Sequence, residues 1–79
     1  MRIDKYLKVS RIIKRRTVAA DACNAGHVSV NGKNVKPSYE LKIGDQITVR
    51  FGERSFSCKV TDMPEHAGKN EAHLLYEVL

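Results

Sequence analysis

Residues 16–32 read RTVAADACNAGHVSVNG, and this stretch decides the fold. Its first half predicts a helix of about nine residues. One face of that helix carries small or apolar side chains, which let a neighbouring helix pack closely: Val18, Ala19, Ala22 and Cys23. Thr17 is predicted as the N-cap or a first-turn residue, and Gly26 supplies the left-handed conformation that commonly ends a helix.

After this helix the periodicity changes from helical to alternating. Val28 and Val30 alternate with polar neighbours, as in a strand with one buried face. Asn31-Gly32 is a strong hairpin signal because both residues tolerate positive φ, and Val35 begins the return. The sequence therefore predicts a helix followed directly by a tight hairpin.

The chain beyond the hairpin predicts further strands separated by glycine turns. The residues expected to face inward alternate along three segments: Tyr39, Leu41 and Ile43; Ile47, Val49 and Phe51; and Phe56, Cys58 and Val60. The second segment belongs to a strand predicted over residues 46–51. Residues 64–70 are polar and predict an exposed loop that includes Lys69, and residues 74–79 predict a final strand.

The net positive charge of the chain lies in its first sixteen residues. Only Asp4 among them is acidic, so they sum to +6, whereas the whole chain is +5 and residues 17–79 sum to −1. The basic residues recur every third position and then run together: Arg2, Lys5, Lys8, Arg11, Lys14, Arg15 and Arg16. A patch this concentrated favours a polyanion such as nucleic acid, because each neutralised phosphate releases condensed counterions.

A plain solvated charge run is the alternative interpretation of this segment. Interleaved apolar residues at helical spacing argue against it: Ile3, Tyr6 and Leu7. They predict a helix from about residue 2 to residue 9 with a buried stripe and an ordered basic face. In the connector that follows, over residues 10–15, Ile12 and Ile13 can pin the helix to the core.

The length and composition are typical of one small globular domain. Seventy-nine residues predict a single domain over 1–79, with a motif core over about 1–51 and C-terminal strands over about 52–79. Hydrophobic residues make up 42% of the chain, and no apolar stretch approaches the roughly 20 residues that span a membrane. We expect a cytoplasmic protein with no membrane partner.

The sequence lacks the spacing of a catalytic or metal site. Cys23 and Cys58 lie far apart without a CxxC pattern and are expected to be small buried hydrophobes. A disulfide between them stays open, but a cytosolic setting disfavours it. The histidines show no ligand spacing: His27, His66 and His73. We therefore expect no metal, no cofactor and no enzymatic activity.

Four blocks of the sequence resemble, in order and spacing, the RNA-binding domain family named after bacterial ribosomal protein S4. They are RIDKYL from residue 2, RTVA from residue 16, AGHVSVNG from residue 25 and the pair Gly44-Asp45. The resemblance implies an α+β fold in which two short N-terminal helices, the family's αL-type RNA-binding motif, pack on a small, mostly antiparallel sheet. It also implies that the helical pair and the adjoining strand form a basic surface for structured RNA.

Within the family, the run KVSRIIKRRT over residues 8–17 is most similar to the RqcP subfamily, the P-site tRNA stabilising factors of bacterial ribosome-associated quality control. This resemblance implies binding to the obstructed large ribosomal subunit, between large-subunit rRNA and P-site tRNA (peptidyl-tRNA). It also implies support of RqcH during alanine tailing of stalled nascent chains. The fifteen-kilodalton heat-shock proteins that recognise stalled large subunits have a similar N-terminal half and provide the alternative.

The resemblance assigns RNA contact first to Arg16 and then to Arg2. At the start of the second helix, free backbone N–H groups and the helix dipole add to the attraction of Arg16 for a phosphate. Asp4 can position basic side chains by ion pairing, cap the first turn or accept a hydrogen bond from a nucleotide, and positioning is favoured. The predicted RNA-binding residues are Arg2, Asp4, Lys5, Lys8, Arg11, Lys14, Arg15, Arg16, His27, Asn31 and Lys33.

Other interpretations remain for some of these residues and for the chain. Tyr6 is expected in the core rather than as a platform for base stacking, and the residues around the hairpin fit an ordinary surface turn equally well. A helix-turn-helix DNA-binding protein would also begin with a helical pair, but Asn31-Gly32 and the sheet after it favour the RNA-binding fold. A protein-interaction adapter is the third class.

Overall fold

Two helices open the chain in the computed structural model, which describes residues 1–68 and 70–79. Helix α1 spans Ile3–Val9 and helix α2 spans Arg16–Asn24. Arg2, predicted as the first residue of α1, instead precedes it as an extended N-cap with φ −64° and ψ 143°. Thr17 lies in the first turn of α2, as one of its two predicted placements required. The predicted loop residue Lys69 lies outside the described residues.

Gly26 ends α2 and turns the chain toward the sheet. Its φ is +79°, and its N–H donates to the Cys23 carbonyl at 3.0 Å while the His27 N–H donates to the Ala22 carbonyl at 2.9 Å. These two bonds satisfy carbonyls that the helix end leaves free, and the left-handed conformation favours glycine. The predicted helix stop is therefore confirmed, and it places the first strand immediately after α2.

The described part of the chain forms a five-stranded antiparallel sheet with the order β2-β1-β3-β4-β5. The strands are β1 Val28–Val30, β2 Lys33–Asn34, β3 Gln46–Phe51, β4 Arg54–Val60 and β5 Tyr76–Val78. The α+β prediction is confirmed. The continuous strand predicted over residues 74–79 is wrong, because a 3-10 helix spans Ala72–Leu75 and β5 begins only at Tyr76. That turn buries Ala72 and Leu75 against the rest of the domain.

The hairpin between β1 and β2 has the predicted turn. Asn31 and Gly32 have φ values of +51° and +87°, the two positive angles that a type I′ turn requires. The Asn31 side chain also ties this turn to β3, since its Oδ1 accepts from the Gln46 N–H at 3.0 Å and its Nδ2 donates to Asp45 Oδ1 at 3.2 Å. The turn is thus held by its own backbone conformation and by the bonds of the Asn31 side chain.

The segment between the hairpin and β3 departs from the predicted alternation. Leu41 is buried, but Tyr39 and Ile43 are exposed, so the inward alternation predicted for these three residues is wrong. The segment instead pairs with the start of α1. The Ile3 N–H donates to the Tyr39 carbonyl at 2.8 Å, and the Leu41 N–H donates to the Met1 carbonyl at 2.9 Å. These bonds hold the N-terminus in place.

The core lies between the two helices and one face of the sheet. Its fully buried large side chains come from α1 and from three strands: Ile3, Tyr6, Leu7, Val28, Ile47, Val49 and Val60. Tyr6 is therefore a core residue, as predicted. Val18 and Phe51 were expected to face inward, but each is about half exposed, and both line an open cleft between α2 and the end of β3.

Both cysteines are free and buried, which confirms the expectation that they act as small hydrophobes. Burial raises the pKa of the Cys58 thiol to about 11 and also raises the pKa of Cys23. Among the described residues no helix has the length and apolar character needed to cross a membrane.

Candidate nucleic-acid interface

Helix α1 presents its basic face to solvent because its other face is locked into the core. Ile3, Tyr6 and Leu7 have no exposed surface. The Tyr6 hydroxyl also donates to the Leu75 carbonyl at 2.7 Å, which ties the middle of α1 to the C-terminal 3-10 helix. With this stripe fixed, α1 cannot rotate, and Lys8 is held on the exposed side.

Asp4 joins Arg2 and Arg16, the two arginines to which the family resemblance first assigns RNA contact. Its Oδ2 lies 3.2 Å from Arg2 Nη2, and its Oδ1 lies 3.4 Å from Arg16 Nη2. Arg2 precedes α1 and Arg16 begins α2, so one carboxylate connects the starts of both helices. We call these three residues the Asp4 node.

The Asp4 node differs from an ordinary surface ion pair in its burial. The Asp4 side chain is 6% exposed, whereas the Arg2 and Arg16 side chains are 48% and 47% exposed. A buried carboxylate is costly unless it is paired, and Asp4 has both arginines and the Lys5 N–H, which donates at 2.7 Å. Each guanidinium carries five N–H donors, so Arg2 and Arg16 keep donors on the solvent side for phosphate oxygens.

The start of α2 adds backbone donors beside Arg16. Its N-cap, Arg15, is extended and makes no side-chain capping bond. The first-turn N–H groups of α2 therefore keep their donor capacity, and the helix dipole makes this end electropositive. Arg15 and Arg16 are both exposed, so the charges and the free donors occur at one end of the helix.

The connector between the helices is held in a defined conformation. Arg11 has a φ of +61°, which is uncommon for a residue with a side chain. Its N–H donates to the Lys8 carbonyl at 3.1 Å, the Ile13 N–H donates to the Leu7 carbonyl at 3.0 Å, and Ile13 is buried. Arg11 therefore leaves the end of α1 in a fixed direction, and the prediction that the connector is pinned to the core is confirmed.

A cleft of about 470 Å³ lies beside the C-terminal end of α1. It is lined by the end of α1, by two basic residues of the connector and by two residues of the segment before the 3-10 helix: Lys8, Val9, Arg11, Lys14, His66 and Ala67. The structure thus brings Lys8, Arg11 and Lys14 around one concave surface. Sequence reasoning missed His66, because nothing in the local pattern relates it to residues more than fifty positions earlier.

Lys5 differs from the other basic residues because it already has a partner. Its Nζ forms an ion pair with a carboxylate oxygen of Glu65, and Lys5 is only partly exposed. The Lys5 ammonium lowers the pKa of Glu65 because it donates a hydrogen bond to the carboxylate and its positive charge favours the ionised form. The Glu65 side chain is exposed, so RNA phosphates can compete for Lys5. Sequence periodicity gave no indication of this pair.

The three remaining predicted residues lie around the hairpin. His27, Asn31 and Lys33 are exposed, but the Asn31 amide is engaged with Asp45 and Gln46. The structure therefore gives Asn31 a structural role, and RNA contact by these residues stays a prediction. Within residues 1–68 and 70–79, no group of His, Cys, Asp and Glu could hold a metal ion.

Comparisons with known proteins agree with this arrangement. The S4 domain family matches residues 1–47. The "RQC P-site tRNA stabilizing factor" of Streptococcus pneumoniae is 48% identical over all of this chain and 90% of its own length. "Heat shock protein 15" of Escherichia coli is 36% identical over 98% of this chain and 59% of its own length. The trimeric structure of Vibrio cholerae heat shock protein 15 superposes with a TM-score of 0.92 at 34% identity, covering 100% of this chain and 81% of that one.

Proposed function

This chain belongs to the S4 domain family and to its RQC P-site tRNA stabilizing factors, and we propose that it binds structured RNA on the large ribosomal subunit through the basic side of its helical pair. The observation that carries the proposal is the Asp4 node. One carboxylate holds the half-exposed side chains of Arg2, which precedes α1, and Arg16, which begins α2, and such a pair of guanidiniums suits the closely spaced phosphates of folded RNA.

The rest of the basic surface extends this contact. The free N–H groups at the start of α2 can bind a phosphate beside Arg16. Lys8, Arg11 and Lys14 line a cleft that can follow an RNA backbone, and counterion release supplies much of the binding free energy. Because these contacts are to phosphates, the shape of the RNA selects the site more than its sequence does.

We infer that the RNA is a pair of elements, large-subunit rRNA and the P-site tRNA that carries the stalled nascent chain. A small domain with basic residues at the starts of both helices and along α1 can contact two RNA elements at once. By holding the P-site tRNA, the chain would support RqcH while alanine residues are added. Its contribution is binding, and no step of the chemistry is assigned to its own residues.

Co-sedimentation with purified ribosomal subunits tests this proposal. The chain is mixed with large subunits that carry peptidyl-tRNA, with empty large subunits and with small subunits, and the pellets are quantified. We expect most binding to the large subunits that carry peptidyl-tRNA. Equal binding to all three particles would show general attraction to RNA and would contradict the proposal.

A second function is suggested by the similarity to heat shock protein 15, since the superposition covers this whole chain. In that case the chain would recognise and recycle stalled large subunits without supporting alanine addition. The lower identity, 36% against 48%, places it second. A reconstituted reaction with stalled large subunits and RqcH separates the two functions, because our proposal predicts longer alanine tails when the chain is added.

A further inference from the structure

The face of the sheet that carries the core continues past the helices into an aromatic groove. Cross-strand partners in an antiparallel sheet share a face. The register pairs residues of β3, β4 and β5 on the face that carries Val49 and Val60. The groove on this face is lined by Phe51, Arg54, Phe56 and Tyr76.

The groove has a defined shape. Its volume is about 420 Å³, it is open to solvent, and Arg11 and Ile12 of the connector contribute to its lining. Phe56 and Tyr76 pack edge to face with ring centroids 5.7 Å apart and an interplanar angle of 89°. Phe51 is 49% exposed and presents ring surface to solvent.

The charges around the groove are all positive. Arg11 and Arg54 line it, and no carboxylate does so among the described residues. Arg11 also lines the cleft that contains Lys8 and Lys14, so the groove continues directly into the basic surface. The positive φ of Arg11 fixes the corner at which the two depressions meet.

We propose that this groove holds one unpaired base of the RNA that lies on the basic surface, stacked on Phe51, with its flanking phosphates at Arg11 and Arg54. The inference rests on the proposed RNA-binding function and adds the recognition of an unstacked nucleotide to it. Aromatic rings and guanidinium planes are the usual partners of splayed-out bases, and stacking tolerates any base. An apolar protein segment would leave both guanidiniums without an anionic partner.

Two RNAs that differ only in an unpaired end test this proposal. One is a blunt-ended hairpin, and the other is the same hairpin with a short single-stranded tail of adenosines. We expect the full chain to bind the tailed RNA on the order of tenfold more tightly at the same salt concentration. Phe51→Ala should abolish this preference and keep the affinity for the blunt hairpin.

Matched variants identify the cause of any change. Phe51→Leu keeps an apolar side chain and should also lose the preference, whereas Phe51→Tyr keeps a ring and should retain it. Ile43→Ala removes another exposed apolar side chain, one that does not line the groove, and should leave both affinities unchanged. Thermal melts of each variant show that the domain is folded.

The outcomes separate this inference from the function on which it rests. Equal affinity of the unmodified chain for both RNAs, or a preference that survives Phe51→Leu, overturns the stacking site but leaves RNA binding intact. Binding to neither RNA contradicts both. Arg16→Ala should weaken binding to both hairpins by the same factor, because it acts on the duplex contact and not on the tail.

Discussion

The helical pair and the sheet differ in net charge in a chain of only 79 residues. Residues 1–24, which contain both helices, sum to +5, whereas residues 25–79 sum to 0. Both regions contribute buried residues to the same core, and the basic side chains of the cleft beside α1 come from α1 and the connector. The sheet therefore mainly supports α1, whereas α1, the connector and the start of α2 supply most of the charges proposed to bind RNA.

The same contrast appears in how each region uses a polar side chain. Asn31 fixes a turn by bonding to residues at the start of β3, and both polar atoms of its amide are hydrogen-bonded within the protein. Asp4 holds Arg2 and Arg16 but leaves half of each arginine side chain exposed. Asn31 stabilises the fold, whereas Asp4 prepares two side chains for an external partner.

Removing Arg16 should have the largest effect on binding. Arg16→Ala deletes a charge-assisted contact worth about 1.5–3 kcal/mol, so affinity for large subunits should fall by about tenfold to a hundredfold. The free energy of unfolding should change by about 1 kcal/mol or less, because the pair with Asp4 is partly exposed on the arginine side. Subunit pelleting and a thermal melt on the same preparation measure both quantities, and Arg2→Ala should act in the same direction but less.

Lys59→Ala is the matched control for Arg16→Ala. It removes one positive charge from an exposed position on β4, in the sheet. If net charge alone governed binding, the two variants would weaken it equally. If Lys59→Ala lowered the affinity for large subunits as much as Arg16→Ala does, the claim that the helical pair and not the sheet binds RNA phosphates would be wrong.

Asp4→Asn distinguishes the positioning role of Asp4 from simple charge attraction, because removing a negative charge raises the net charge of the chain by one. A simple attraction between charges predicts tighter RNA binding. The Asp4 node predicts binding weaker by about threefold, since the two guanidiniums lose the carboxylate that positions them. Tighter binding of the folded Asp4→Asn variant in a titration with large subunits would contradict the positioning role.

Tyr6→Phe tests the support that the C-terminal region gives to α1. It removes the hydroxyl that donates to the Leu75 carbonyl, but that carbonyl keeps the Thr61 N–H at 2.9 Å as a donor. The free energy of unfolding should fall by about 1 kcal/mol, which corresponds to a melting temperature lower by about 4–8 °C. Large-subunit affinity at 25 °C should stay the same, and a tenfold loss in the folded variant would mean that Tyr6 acts on binding.

The smallest effect concerns the cysteines. Burial raises the pKa of Cys58 to about 11, so at pH 8 its thiol should react with a disulfide reagent only after unfolding. Above a pH of about 8.5 the unfolded chain loses this proton first, so stability should fall as pH rises toward 11. Rapid labelling of the native protein at pH 8, or stability that rises across this pH interval, would contradict the burial of Cys58 and its raised pKa.

Local patterns predicted much of the fold. The end of α2 at Gly26 and the Asn31-Gly32 turn were predictable because each requires positive φ, which these residue types tolerate whatever the rest of the fold is. The buried stripe of α1 followed from helical spacing. The inward alternation of Tyr39 and Ile43 failed because hydrogen bonds to the N-terminus, more than thirty residues away, set the conformation of that segment.

The candidate interface was predictable in composition but not in geometry. The basic residues were evident in the sequence, and so was the single acid among them. That Asp4 is buried and reaches Arg16 depends on the packing of α1 on α2, which no local pattern encodes. The Lys5 to Glu65 pair and the placement of His66 depend on a segment sixty residues along the chain.

The salt dependence of binding tests the central claim most directly, namely that the helical pair neutralises RNA phosphates. Affinity for large subunits carrying peptidyl-tRNA is measured across a range of salt concentrations for the unmodified chain, Arg16→Ala and Lys59→Ala. If about 4 to 6 phosphates are neutralised, the logarithm of the binding constant should fall with the logarithm of salt at a slope of about −3 to −5. The slope should become shallower by about 1 for Arg16→Ala and stay unchanged for Lys59→Ala. A flat salt response of the unmodified chain, or equal slopes for all three proteins, would contradict the account.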